Sequence, residues 1–408
     1  MKRWAGVTDL LRRNFTRPGS SLEYIPQIDG LRALAVLLVL GHHVFATYLV
    51  DSHRYGTQKL PDDWNKIAPF DPLVWWGINL VVGVPIFCVV SGFVLSVPFA
   101  RNLFQGKTQP SIGLYLLRRL IRLEPPYVIS MLFGFALLVI HPSQPRWYFF
   151  VMVKIFGPHL LASLAYLHAL IYGTASWIAG ISWTLEIEVQ FYLMLPLLAQ
   201  LYRLKIVWLR RTILLVAVMA AGLFMQMLPK LHNDRLSLSV FDLLPYFLAG
   251  MLLADVYLAP PRWKVNRYLA DALVVVCALL LIEVIHYRLD WNWTAPLVIG
   301  TSFYMIFAGA WASRLFSWTP LTAVGAMTYT IYLYHFYVVE AVLHFTSHWI
   351  APVHALWVDT GIQFLFALLP VLLVSAMLYL TLERPFVTLS HQVTRRLRAS
   401  RNPPISPA

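Results

Sequence analysis

Windows of about 20 predominantly apolar residues recur from Leu31 to Leu382, separated by short polar stretches. None of these windows alternates polar and apolar positions with a period of two, so a closed β-barrel is excluded. The pattern predicts membrane-spanning helices at roughly 30–50, 76–98, 125–141, 183–202, 207–228, 240–258, 270–287, 293–312, 322–346 and 356–382. Between them, 147–174 is ambiguous: Leu160 to Tyr172 is apolar but short, and Pro158 and Gly173 bracket it. A crossing there would put Arg203, Lys205, Arg210 and Arg211 outside, against the positive-inside rule, so a re-entrant or interfacial segment is expected. The expected fold is an all-α polytopic transmembrane bundle of about ten spans with both termini cytoplasmic. Residues 1–29 read as a basic tail, 30–383 as the transmembrane domain and 384–408 as a second basic tail.

Composition agrees with this pattern. The 408 residues are 59% hydrophobic and 12% charged, with a mean hydropathy of +0.65, beyond what a soluble domain tolerates. The formal net charge of +13 invites a nucleic-acid reading. Its distribution argues otherwise, because the basic residues concentrate in the two tails (Lys2, Arg3, Arg12, Arg13, Arg17; Arg395, Arg396, Arg398, Arg401) and in alternate loops. Nucleic acid is therefore not an expected partner. Cys88 and Cys277 both fall in apolar runs, and two cysteines build neither a disulfide framework nor a tetrahedral metal site. No metal is expected. The first apolar run contains Arg32 and paired histidines and lacks a small-residue cleavage pattern, so it reads as a retained span.

Ionisable groups inside apolar spans are costly and mark functional candidates. Arg32 and His43 lie eleven positions apart, which at 100° per residue brings both to one helix face about 16 Å apart. His42 is turned about 100° from His43, so only one of the two looks into the groove that Arg32 faces. A histidine in a packed bundle is more often a hydrogen-bonded structural residue than a catalytic one. In the string from Tyr115 to Tyr127, Arg119 and Arg122 are one turn apart and suit a phosphate through their planar forks, although such a cluster also serves as a topology signal. Pro125 and Pro126 are expected to reset the chain before the third span. In Ser182 to Tyr192, Glu186 and Glu188 project about 200° apart, one toward water or headgroups and one toward the bundle interior. Glu188 falls near the depth of His43 and would orient its ring. Ser91, Tyr192, His335 and Glu383 are further candidates, each with a bland alternative as a helix contact or interfacial ion pair. Asp242, Asp255, Glu283 and Glu340 show no partner in the sequence.

Taken in order, these strings resemble the membrane-bound acyltransferase family 3, which includes O-acetylases of bacterial surface polysaccharides, nodulation factors and macrolides. Ile28-Asp29-Gly30-Leu31-Arg32 followed by His43 is similar to its Arg-x10-His motif, and Arg119 to Arg122 to its Arg-x-x-Arg motif. The Gly83–Phe93, Glu188–Tyr192 and Tyr329–His335 strings and the terminal Glu383-Arg384-Pro385-Phe386 follow in the family's order. Pro85, Glu124 and Glu186 depart from it. The resemblance implies transfer of an acyl group, usually acetyl, from coenzyme A to an external hydroxyl. It implies His43 as catalytic residue with Arg32 as its motif partner, and Arg119 and Arg122 as donor-site residues. Ser91 is a donor-site candidate beside them. The expected donor is acyl-CoA, most simply acetyl-CoA, and the expected acceptor a glycan or glycolipid. Membrane lipid surrounds the chain, a homo-oligomer is compatible with it, and the bacterial inner membrane is the expected location. The rival class is a secondary transporter using intramembrane His, Glu and Arg as a relay, for which no inverted repeat is visible.

Overall fold

The computed structural model describes residues 9, 11, 14–15, 24–51, 77, 79–106, 110–140, 144–227, 234–262, 264–286, 293–346 and 356–401, which are predominantly helical with no strand among them. The expected basic residues Lys2, Arg3, Arg12, Arg13 and Arg17 lie outside the described residues. So do the charged residues Arg54, Lys59, Asp62, Asp63, Lys66, Asp71, Lys230, Arg288 and Asp290 between the predicted spans. The helices are α1 (Pro26–Asp51), α2 (Gly83–Phe104, entered by a 3₁₀ turn at Leu80–Val82), α3 (Ile112–Val139), α4 (Arg146–Leu164) and α5 (His168–Tyr172). Then follow α6 (Trp183–Leu198), α7 (Val207–Met227), α8 (Asp234–Ser237), α9 (Val240–Leu258), α10 (Arg267–His286) and α11 (Thr294–Ala308). The last are α12 (Trp311–Phe316), α13 (Thr319–Ala326), α14 (Thr328–Thr346), α15 (Leu356–Leu378), a π-helical turn at Tyr379–Glu383, and α16 (Arg384–Arg401).

Seven of the described helical stretches are long and apolar enough to cross a membrane by length and composition. One is Trp147–Leu164, within the segment expected to be re-entrant. Its far end packs beside the middle of α3, where Tyr127 donates to Ser163 O (2.8 Å) and Tyr166 to Glu124 Oε2 (2.9 Å). Large apolar side chains point outward from helices around the bundle, among them Leu137, Leu161, Leu197, Val216, Leu279 and Leu369. Such a coat suits lipid rather than water.

Several predicted boundaries move, each for a visible reason. The helix expected to begin at 125 is continuous from Ile112 through both prolines, so Arg118, Arg119 and Arg122 share a rod with the third apolar run. Proline removes backbone donors inside a helix. The carbonyls left without an N–H partner are those of Ile121 and Arg122, while neighbouring carbonyls of the same stretch take bonds from tyrosines of α14: Tyr329 donates to Leu123 O (2.7 Å) and Tyr334 to Pro126 O (3.3 Å). The run at 293–312 is cut at Gly309, because the Asp271 carboxylate accepts N–H bonds from Ala310 (3.1 Å), Trp311 (3.0 Å) and Ala312 (3.0 Å) and starts α12 there. A side chain at Gly309 would collide with that carboxylate. The run at 322–346 splits at Met327 into α13 and α14.

Close backbone crossings hold the bundle. Gly92 of α2 lies against the backbone of Phe247, and Gly250 of α9 against Val89 and Phe93, so neither admits a Cβ without a shift. Phe191 stacks on Phe247 beside this crossing, with ring centroids 4.1 Å apart. Asp255, which shows no partner in the sequence, is a structural charge: it is buried and paired with both Arg210 and Arg211, the latter through Nε at 2.8 Å. Arg210 also covers the Phe104 ring at 4.3 Å, joining α7, α9 and the end of α2.

Candidate active site

Local packing at the start of α1 sets the first functional side chain. Gly325 lies against the Asp29 backbone and Gly30 against the Phe316 carbonyl, contacts that any Cβ would block. They seat Asp29, whose Oδ1 accepts from Arg32 Nη1 at 2.8 Å. Arg32 then lines two adjoining cavities together with Val94, Leu95, Arg119 and Arg122.

The outer cavity is about 220 Å³ and is walled by α1, α2, α3 and α16. Its lining carries Arg32, Arg101, Arg118, Arg119, Arg122 and His391, with Asp29 its one acidic residue among those described. This concentration of guanidinium groups suits a ligand with several negative charges. Sequence reading had missed Arg101, Arg118 and His391 here. Arg118 belongs to the basic string that holds Arg119 and Arg122, and its partner appears only when α16 brings His391 to within 2.9 Å of its Nη2. No local signal pairs residues so far apart in the chain.

The inner cavity is smaller, about 110 Å³, and includes Ser91, Thr184, Glu188, Tyr192, Tyr329 and Tyr332 in its wall. Ser91 Oγ donates to Glu188 Oε1 at 3.0 Å, and the Arg119 guanidinium lies over the Tyr192 ring at 5.4 Å. Tyr332 donates to Ile181 O at 2.6 Å and also bonds Thr184. The expected contrast between the two carboxylates of α6 changes here. Glu188 does face the interior cavity, but Glu186 is equally enclosed, fully buried and accepting from Ala169 N at 3.0 Å. The cause is α5, which covers the side of α6 that the sequence left open to water.

Beyond Tyr332 lies a group of imidazoles. Its ring is 6.0 Å from that of His335, and the His335 ring is 5.0 Å from His43. His42 sits 5.1 Å from His43 with its Nδ1 3.3 Å from Gly77 O, so the two adjacent histidines are turned to different neighbours, as their helical offset requires. The structure thus brings His42, His43 and His335 together, and Arg32, Ser91, Arg119, Arg122, Glu188 and Tyr192 together. It does not bring Glu188 to His43: the carboxylate is hydrogen-bonded to Ser91 within the inner cavity. No group of three or more His, Cys, Asp or Glu side chains able to hold a metal ion occurs among the described residues.

Glu383 joins the arginine side of the site. The π-helical turn shifts the helix face there, a device often found at functional positions. Glu383 is buried, accepts from Thr330 Oγ1 at 2.7 Å and stands 3.9 Å from Arg122 Nη2.

The family model described as an acyltransferase domain matches residues 25–380. The peptidoglycan O-acetyltransferase OatA of Listeria monocytogenes is 25% identical over 78% of this chain and 49% of its own length. The O-acetyltransferase OatA of Staphylococcus aureus is 23% identical over 78% of this chain and 51% of its own. A provisionally named O-acetyltransferase of S. aureus strain COL is 24% identical over 85% of this chain and 56% of its own. The chain therefore spans about half the length of the curated relatives it matches. No solved structure matches it.

Proposed function

The chain belongs to the acyltransferase-domain family, and from that premise we propose that it is an integral-membrane O-acyltransferase. It moves an acyl group, most simply acetyl, from cytoplasmic acyl-CoA to a hydroxyl of an extracytoplasmic glycan, glycolipid or similar acceptor. The observation that carries this reading is the joined pair of cavities. The outer one is the larger and is lined by arginines, and the inner one is smaller and is bounded by Ser91, Glu188, Tyr192, Tyr329 and Tyr332. A donor with a polyanionic nucleotide and a slender uncharged arm matches that sequence of environments. Arg119 and Arg122 with Arg32 hold phosphates at the junction, and Ser91, Glu188 and Tyr192 line the path of the arm. That these relatives are O-acetyltransferases supports acetyl as the acyl group, and that the Listeria protein is a peptidoglycan O-acetyltransferase supports a cell-surface glycan.

In this mechanism His43 is the general base. It takes the proton of the acceptor hydroxyl as oxygen attacks the thioester carbonyl, the C–S bond breaks, and the departing sulfur receives that proton. The test is transfer of label from isotope-labelled acetyl-CoA to candidate glycans by protein reconstituted in vesicles. His43→Ala is expected to lose transfer by at least about 10²-fold while remaining inserted. Full transfer by that variant would refute the assignment of the base. Uptake of intact label into vesicles without transfer would favour the transporter class instead.

A further inference from the structure

We infer that His335 is the positioning residue that fixes the tautomer and orientation of His43, an inference that rests on the reading of His43 as general base. His335 is fully buried on α14, with Nδ1 3.0 Å from Ile331 O and 2.9 Å from Tyr332 O. Carbonyl oxygens only accept, so Nδ1 carries the proton and the neutral ring presents a bare Nε2. That Nε2 is buried and has no hydrogen-bond partner among the described residues. An unmet buried acceptor is a standing cost to the fold, retained where a ligand or a proton-bearing group meets it during function.

The group placed to meet it is His43. Their rings are 5.0 Å apart at 53°. The same molecule contains a pair showing what such a spacing permits: the rings of His159 and His168 are 5.1 Å apart at 37°, and their Nδ1 and Nε2 are hydrogen-bonded at 2.8 Å. A modest turn of the His43 ring therefore brings one of its N–H groups onto His335 Nε2. The other ring neighbours of His43 offer no equivalent: Phe336 is apolar and His42 is directed to Gly77 O.

When His335 accepts from one nitrogen of His43, the opposite nitrogen is left bare to take the acceptor's proton. The charge that His43 then carries is stabilised through the N–H···N bond until the proton passes to the departing sulfur. His335 performs the orienting task that a carboxylate performs in other catalytic pairs. It touches His43 rather than substrate.

The experiment measures kcat, KM for acetyl-CoA, KM for a glycan acceptor, and coenzyme A affinity for the full chain in vesicles. The proteins compared are wild type, His335→Ala, His335→Gln and His43→Ala. Glutamine is chosen because its Oε1 places an acceptor near the former Nε2. His335→Ala is expected to lower kcat roughly 10²-fold with both KM values within about threefold. His335→Gln is expected to recover at least about tenfold of that loss, with coenzyme A affinity unchanged in both variants. Wild-type kcat in His335→Ala, or a His335→Gln no better than His335→Ala, would overturn the inference. If His335→Ala no longer binds coenzyme A, the glutamine variant decides alone: a kcat as low as that of His43→Ala overturns the inference, and a higher one supports it. Failure of the underlying reading is distinguishable, because then His43→Ala itself retains full activity.

Discussion

Arg210-Arg211 and Arg118-Arg119 look alike on the chain, each a pair of arginines in a basic stretch next to an apolar run, yet they end in opposite electrostatic situations. Arg210 is only 3% exposed, and its partner Asp255 is fully buried. Arg210 also gives a bond to Leu204 O, and Arg211 gives one to Ala259 O, so both guanidinium groups are engaged by protein acceptors. Around the second pair the excess of cations over acids is larger. Arg32, Arg101, Arg118, Arg119 and Arg122 share a cavity wall whose described acid is Asp29, while Glu383 stands 3.9 Å from Arg122. A buried charge that is fully paired braces helices, whereas a cluster with excess charge and open volume is suited to bind an anion. Basic residues beside a span thus acquire a role from what the fold places opposite them.

The comparison can be broken most forcefully at Asp255. Asp255→Asn leaves two guanidinium groups around a neutral amide, one of them buried, and is expected to destabilise the protein by about 3–5 kcal/mol. Thermal unfolding in detergent measures this, and the folded fraction should still bind coenzyme A with wild-type affinity. A normal melting curve with lost binding would erase the distinction between the two clusters. Arg119→Ala and Arg122→Ala should show the reverse. Each removes a charge-assisted bond to donor phosphate and weakens coenzyme A binding about 10- to 100-fold in calorimetry, with little change in unfolding. Unchanged binding in both would reduce these arginines to a topology signal. The smallest effect is expected from Thr330→Val, which removes the hydroxyl that holds Glu383 near Arg122. The lost bond is worth about 1 kcal/mol and should appear as a severalfold loss of donor affinity at unchanged kcat. A loss as large as that of Arg122→Ala would mean that Glu383 governs the arginine more strongly than a 3.9 Å contact implies.

Much of the site was legible because its residues are close in sequence and carried by helices. The eleven-residue interval from Arg32 to His43 fixes a shared face on any α-helix, and the three-residue interval from Arg119 to Arg122 fixes a common ligand direction. The offset between His42 and His43 likewise follows from the helix alone. The pairing proposed for Glu188 and His43 rested on matched depth along different helices. Depth does not specify azimuth, and Ser91 of α2 stands where Glu188 points. His391 was illegible for a related reason, since its part in the outer cavity arises only when α16 folds back against α3.

By itself the sequence determined that the chain is a helical membrane protein with charged residues in its spans. Long apolar windows leave a backbone in lipid few ways to satisfy its hydrogen bonds, and period and spacing set which residues share a face. Only the tertiary structure decided which arginines are neutralised and which line a cavity. It alone decided that α3 runs unbroken through two prolines, and that His43 faces His335 rather than Glu188. Each of these depends on a group from a distant helix reaching a particular atom: Asp255 at Arg210, Tyr329 at Leu123 O, the His335 ring beside His43. Such meetings are set by the rotation and crossing of packed helices, which the pattern along one helix does not encode.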